Sequence, residues 1–434
     1  MTSINYNFNY YNTLKITFVF LLFAFILKSL FKTPSVIIEF VLLSLLLVFS
    51  LIYASQYLRI NRVSSGVFLL FLIYILLHTL SAIFFRPLIF DIPFISALQF
   101  SLLEFRVSTI SYFLPLIFIP LIKINHEKFE NFLFIIIKLS IGFTIAEQIL
   151  SLIGMRGFFE TFYSTSGVVS DNQIGAKSLG LYRIWGVVGS PQLLGVFHLF
   201  TLVYMLHKRN RFWASLSIIS VILSTSKTAY IILLIVGILY LLYNKRYLLL
   251  FVLSLLATFM LFFIFNMYFT LIENMSDEYP KFQKFIGSIL GYSTLLFNVR
   301  EVSAPEAFIP GGALYTLYDY YSENILQIFL GKGLTYSFMQ DNLISSSDLG
   351  SFLYLTSDFY ILTFFDQYGA FGIILLIYLF GIYPLQKLLS GGNYLHIVPI
   401  IFLLSMFHYP PHLPKIMMLL ASYPLFKIYL YDKE

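Results

Sequence analysis

The chain has 434 residues, of which 59% are hydrophobic and 11% charged, with a formal net charge of +6 and no cysteine. This composition excludes an ordinary soluble globular protein, and the lack of cysteine excludes disulfides and thiolate metal sites. A basic balance can indicate nucleic-acid binding, but in so apolar a chain Lys and Arg are better explained as cytoplasmic loop residues, so no nucleic-acid partner is expected.

The apolar residues form long unbroken runs instead of alternating with polar residues. Roughly 20 apolar residues span a bilayer as a helix, whereas a barrel strand would alternate. The sequence therefore predicts an all-α fold, a polytopic transmembrane helical bundle of about 12 helices that forms one integral membrane domain over residues 1–434. The predicted spans are 14–31, 34–57, 67–85, 105–122, 132–154, 191–206, 212–226, 228–243, 248–272, 358–384, 394–408 and 414–430.

The first run, Leu14 to Leu27, is followed by Lys28 and Lys32 instead of a small-residue cleavage site. This pattern predicts a retained first helix and not a signal peptide. The lipid bilayer is thus the expected surrounding of the chain.

Basic residues concentrate in alternate loops, which sets the predicted orientation. Under the positive-inside rule these loops and both termini are cytoplasmic, although Lys28 and Lys32 run against the rule. Two long polar segments then fall on the periplasmic side of a bacterial inner membrane: 155–190 and the large loop 273–357. The basic residues that mark the predicted cytoplasmic loops are Arg59, Arg62, Lys123, Lys128, Lys208, Arg209, Arg211, Lys245, Arg246 and Lys387.

The segment RIWGVVGSPQLLG, from Arg183 to Gly195, places an arginine just before a turn and a helix start. Gly186 and Gly189 permit close approach to the backbone, Pro191 suits the first turn of a helix, and amides at a helix start favour an anion. One interpretation is an arginine poised over a phosphate or diphosphate. The other is an interfacial arginine that reaches the lipid headgroups beside an ordinary turn.

Two further segments place charge where the membrane disfavours it. STSKTAY puts Lys227 at a predicted outer turn, either as a functional cation or as a lysine that reaches the headgroups. In TSDFYILTFFDQYGAFG, Asp358 stands at a helix start, where a capping role is sufficient, and Asp366 lies two turns deeper, where a charge is usually purposeful.

The segment FHYPPHLPK contains His408 and His412, which could serve acid–base chemistry or simply be solvated. A zinc site is not expected because no third ligand lies nearby. Glu39, Glu104 and Glu147 are carboxylates in predicted membrane zones, which could pair with Arg106 or another base or line a pathway.

Taken in order, these motifs resemble the bacterial O-antigen polymerase and O-antigen ligase superfamily over about residues 150–385. The resemblance is carried by Arg183-x-x-Gly186 with Pro191, Ser224 to Lys227, FLGKG at Phe329 to Gly333, Asp358, and Gly369 with Gly372. Where ligases of the superfamily carry histidine this chain has Asp358, which favours a polymerase. Lys227 stands where arginine is usual, and lysine lacks the bidentate fork.

The resemblance implies glycosyl transfer on the periplasmic face. A growing glycan would leave its undecaprenyl diphosphate for a sugar hydroxyl of another lipid-linked repeat unit. Arg183 is the first candidate to hold the diphosphate, with Lys227 and Arg300 beside it. Asp358 is the first candidate base, and His408 and His412 are the second.

The same resemblance leaves further roles and partners as expectations. Gly186 and Gly189 would contribute to substrate binding, and neither a cofactor nor a metal is expected. A chain-length regulator and a flippase are possible partners. The alternatives are a flippase or transporter for lipid-linked oligosaccharides, which would show paired halves and short loops, and an O-antigen ligase.

Overall fold

A computed structural model describes residues 2–31, 35–57, 63–90, 93–123, 126–164, 177–178, 181–253, 255, 325–331, 360–407, 411 and 415–431. Within these ranges the chain is almost entirely helical, which confirms the predicted helical class. Three helical segments there are long and apolar enough to cross a membrane: Val63–Ser81, His126–Glu160 and Gln367–Leu389. The twelve-span bundle and its periplasmic loop stay predictions.

The elements follow one another as successive helices, several of them extended by π or 3-10 turns. The α-helices are α1 Thr2–Phe31, α2 Ser35–Tyr57, α3 Val63–Phe90, α4 Phe94–Glu104, α5 Ile110–Phe113, α6 His126–Leu150, α7 Arg156–Ser164, α8 Pro191–His207, α9 Arg211–Leu223, α10 Lys227–Tyr243, α11 Ile325–Leu330, α12 Tyr360–Ile377, α13 Tyr383–Leu389, α14 Ile397–Ser405 and α15 Lys415–Phe426. The π-helical segments are Phe105–Thr109, Ser151–Met155, Tyr378–Ile382 and Lys427–Tyr431, and the 3-10 segments are Leu114–Lys123 and Tyr394–His396. The strands β1 Lys177–Ser178 and β2 Leu181–Tyr182 pair antiparallel, with Lys177 opposite Tyr182.

Helix α8 is buried along nearly its whole length, as expected for a helix that is apolar on all sides. It packs against α9, α10 and α14. Its few polar groups bond across to neighbouring helices: His198 Nε2 lies 2.8 Å from Thr144 Oγ1 of α6, and the Tyr204 hydroxyl donates to the Leu420 carbonyl of α15 at 2.7 Å. Because α8 is fixed on several sides, the turn that leads into it, from Arg183 to Pro191, is joined to a rigid helix.

Two glycines interrupt helical segments. Gly154 has φ +99° within the π segment that follows α6, and Gly369 has φ +64° within α12. Such values lie outside the range that other residues readily adopt, so each glycine allows a bend where a different side chain would resist one.

Candidate functional site

The turn from Arg183 to Pro191 is held by a buried carboxylate on α6. The backbone N–H groups of Trp185 and Gly186 donate to the two oxygens of Glu147, at 3.1 and 2.8 Å. The side chain of Glu147 is fully enclosed. Hydrogen bonds from amides to an ionised carboxylate are stronger than neutral ones, so this contact fixes the path of the chain just before α8.

The two glycines of the turn have the positive φ angles that its backbone path requires. Gly186 has φ +56°, and a Cβ there would lie 2.5 Å from Leu194 Cδ1. Gly189 has φ +76°, and its N–H donates to the Trp185 carbonyl at 3.0 Å. We expected these glycines to let a ligand approach the backbone, but their N–H groups are occupied by acceptors of the protein itself and Leu194 fills the space beside Gly186.

A buried arginine that follows α6 completes the support of the turn. Arg156 lies 3.9 Å from Glu147, measured between Nη1 and Oε1, and its Nη2 donates to the Arg183 carbonyl at 3.1 Å. Its guanidinium carbon also lies 5.2 Å from the centroid of the Tyr182 ring. The negative charge of Glu147 is therefore balanced by Arg156.

The guanidinium of Arg183 differs from that of Arg156 in its charge partners. Arg183 is half-buried, and among the described residues it forms no ion pair with a carboxylate. Its backbone carbonyl accepts from Arg156 and so takes part in the support of the turn. A partly buried cation without a counter-ion in the described structure is a candidate for binding an anion.

The Ser224–Lys227 turn joins α9 to α10 and packs directly on the start of α8. Ser226 caps α10 by accepting from the Ala229 N–H at 3.3 Å, and its hydroxyl donates to the Gln192 carbonyl at 3.3 Å. Gly195 makes this contact possible, because a Cβ there would lie 2.5 Å from Ala229 Cβ and 2.7 Å from Ser224 Oγ. The first two sequence motifs thus meet at one end of α8.

The backbone of this turn is strained. Thr225 has φ +54°, a conformation that is unfavourable for a β-branched residue, and its buried hydroxyl has no hydrogen-bond partner among the described residues. Strain of this kind persists only where the surrounding contacts hold it in place and is concentrated at functional positions.

The contact between the two motifs brings two positive charges near each other. Lys227 is the first residue of α10, and burial together with the positive charge of Arg183 lowers the pKa of its ammonium group. Two cations that repel one another in a partly buried place are stabilised together by a multivalent anion. We therefore define Arg183 and Lys227 as the cation pair.

A second juxtaposition joins the Phe329 motif to the glycine motif of α12. A Cβ at Gly331 would lie 2.5 Å from the Gln367 carbonyl oxygen and 2.6 Å from the Gly369 nitrogen, so the two backbones touch. Helix α3 secures both partners: the Tyr74 hydroxyl donates to the Tyr368 carbonyl at 2.6 Å, and His78 Nε2 lies 2.8 Å from the Leu330 carbonyl oxygen.

Some predicted residues lie outside the described structure. They are Arg300, Asp358, His408 and His412, together with the side chains of Glu104 and Asp366. Of the described candidates, Arg183, Gly186 and Gly189 lie in one turn, and Lys227 ends the neighbouring turn that packs on the start of α8. Sequence reasoning missed Arg156 as a support of the turn, although an arginine just past the end of the predicted span 132–154 that contains Glu147 was a usable signal.

The comparisons with known proteins give no family for the chain. No protein-family model, no curated protein and no solved structure matches it.

Proposed function

We propose that the chain is a membrane glycosyltransferase that polymerises lipid-linked oligosaccharide repeat units on the periplasmic face of a bacterial inner membrane. The growing glycan would pass from undecaprenyl diphosphate to a new repeat unit, as in the synthesis of an O-antigen or a related surface polysaccharide. The observation that carries the proposal is the packing of the Ser224–Lys227 turn on the start of α8, where Ser226 donates to the Gln192 carbonyl at 3.3 Å. This packing puts Arg183 and Lys227, which come from separate segments, at the same end of α8.

The requirements of the reaction explain why such a pair would be needed. The bond between the anomeric carbon of the donor glycan and its diphosphate breaks, and the diphosphate leaves with the bond electrons while still attached to the lipid. Positive charge placed beside the leaving group stabilises the negative charge that develops there. In this proposal Arg183 and Lys227 bind the diphosphate, and Glu147 with Arg156 holds Arg183 in position.

The other half of the reaction forms a bond from the anomeric carbon to an acceptor hydroxyl oxygen. The hydroxyl proton must go to a base, for which Asp358 is the first candidate and His408 or His412 the second. The scheme needs charge stabilisation and proton transfer, and protein side chains can supply both.

The test is the size profile of surface polysaccharide on a gel. Cells with the gene deleted are complemented with wild type, with Arg183→Ala, or with Arg211→Ala as a control that removes an exposed arginine at the far end of α9. We expect deletion to reduce a ladder of chain lengths to core plus one repeat. Wild type and Arg211→Ala should restore the ladder, and Arg183→Ala, expressed at the same level, should not.

Other outcomes contradict the proposal. Loss of every repeat, including the single one, would indicate a ligase or a flippase, because a polymerase is not needed to add one repeat. A complete ladder in the deletion strain would remove this class of function altogether.

A further inference from the structure

At the end of α8 opposite the cation pair, the structure contains an open groove between α6 and the turn from α8 to α9. The groove has a volume of about 360 Å³. A helix of 17 residues is roughly 25 Å long, so this groove and the cation pair lie far apart, at opposite ends of α8. Its lining residues are Asn131, Phe134, Ile135, Lys138, Met205, Lys208 and Asn210.

The first notable charge in the groove is Lys138. It lies within His126–Glu160, a segment apolar enough to cross a membrane, where a charged side chain is expensive. Among the described residues it has no carboxylate partner, and its ammonium lies 5.6 Å from the centroid of the Trp213 ring. The indole therefore holds the cation at the groove without neutralising it.

The second charge, Lys208, is only partly neutralised. Its ammonium lies 3.0 Å from Glu130 Oε2 and 5.1 Å from the centroid of the Phe134 ring. Glu130 also binds Lys427, so one carboxylate is shared by two ammonium groups. The two lysines that line the groove, Lys138 and Lys208, therefore keep a positive surplus there.

The rest of the lining combines polar and apolar groups in the manner of a lipid site. Asn131 and Asn210 lie beside the two lysines, while Phe134 and Met205 supply an apolar wall. Ile135, which is 57% exposed, continues this wall outward. A phosphate group with an attached acyl chain would match both parts of such a surface.

We propose that this groove binds the headgroup of an anionic phospholipid, with the lipid phosphate between Lys138 and Lys208 and the start of an acyl chain along Phe134 and Ile135. The positive-inside rule places this end of α8 at the cytoplasmic surface, where anionic lipids interact with basic residues. The site does not depend on the proposed function, because it uses none of the residues assigned to the glycosyl transfer.

The test measures lipid binding to the purified full-length protein in detergent by native mass spectrometry. The probes are dihexanoyl phosphatidylglycerol and dihexanoyl phosphatidylcholine, which differ in headgroup charge. We expect wild type to bind the anionic lipid in preference, and Lys138→Gln to weaken that binding about fivefold. Lys138→Arg should keep the preference. Lys245→Gln, which removes an exposed lysine outside the groove, should not alter it.

Three results would overturn the proposal. The two lipids could bind equally well to wild type, or Lys138→Gln and Lys245→Gln could weaken binding by the same factor, which would indicate unspecific surface charge. If inorganic phosphate at the lipid's own concentration displaced phosphatidylglycerol, the groove would be a site for a small anion and not for a lipid. Lys138→Arg guards against a folding defect, because it retains the charge at the same place.

Discussion

Glu147 determines where Arg183 can stand, although the two residues never pair. Its carboxylate accepts from the amides of Trp185 and Gly186 and balances the charge of Arg156, which in turn donates to the Arg183 carbonyl. The cation of Arg183 is thereby held in position while its charge stays available. A carboxylate directly beside Arg183 would instead compete with an anionic substrate for it.

Replacement of Glu147 should therefore disturb both stability and function. In Glu147→Gln the amide oxygen can accept only part of the original hydrogen bonds, and Arg156 loses its buried counter-ion and keeps only the exposed Glu160. Breaking a buried ion pair on one side costs about 3–5 kcal/mol. We expect a clearly lower midpoint of thermal unfolding in detergent, and shorter polysaccharide chains at equal expression.

Glu160→Gln is the matched control, because Glu160 pairs with the same arginine at 3.5 Å but its side chain is 41% exposed. An exposed ion pair contributes at most ~1 kcal/mol. Equal destabilisation by the two substitutions would contradict the view that the buried carboxylate organises the turn.

For single residues, the sequence predicted the candidate cations better than the residues that hold them in position. Arg183 was recognisable because it precedes a glycine turn and a helix start, and Lys227 because positive charge is out of place on the predicted outer side. Glu147 was visible as a carboxylate in an apolar run, but its partners lie 38 and 39 residues away and are backbone amides, which carry no sequence signal. Its role follows only from the packing of α6 against the turn.

Among the helices, the path of α12 depends on the backbone conformation of one residue. Gly369 combines φ +64° with ψ −173°, a region open essentially to glycine alone, and any Cβ there would collide with the Phe329 carbonyl. Gly369→Ala should destabilise the protein by about 1–3 kcal/mol from backbone strain, with the clash in addition. Thermal unfolding in detergent measures the loss, and the polysaccharide ladder should shorten because α11 is displaced.

Gly142→Ala provides the control for this prediction. Gly142 lies inside α6, and a Cβ there would meet no atom within 4 Å. Alanine favours a helix over glycine by about 1 kcal/mol, so this variant should be neutral or slightly more stable. If Gly369→Ala behaved like Gly142→Ala, the contact between Gly331 and Gly369 would not hold the two segments together.

Apolar runs determine where several of the helices lie but not always where they begin, since α1 starts at Thr2 and not at the predicted 14. Most of the predicted span 248–272 lies outside the described residues. The expected spans 191–206 and 228–243 agree closely with α8 and α10. The expected helix 105–122 instead continues a longer helical stretch that begins at Phe94 and changes from α to π, back to α over α5, and then to 3-10. Such changes in winding arise from packing and leave the apolar pattern intact, so periodicity cannot reveal them.

Over the whole molecule, the proposal depends on which side of the membrane each end of α8 faces. The chain has no cysteine, so a single introduced cysteine gives an unambiguous label. Tyr247→Cys lies beside Lys245 and Arg246, at a position that is 60% exposed and predicted to be cytoplasmic. Ser347→Cys lies in the loop 273–357 that is predicted to be periplasmic and is outside the described residues.

A maleimide that cannot cross membranes, applied to intact spheroplasts, should label Ser347→Cys and leave Tyr247→Cys unlabelled. Both should react once the membrane is permeabilised, which controls for a buried thiol. Lys227 begins α10 and Tyr247 lies just beyond its end, so the predicted span 228–243 puts them on opposite sides of the membrane, and labelling at Tyr247 tests the predicted side of Lys227. The reverse pattern would put Arg183 and Lys227 in the cytoplasm, where a periplasmic polymerase cannot use them, and would place the groove with Lys138 at the outer surface.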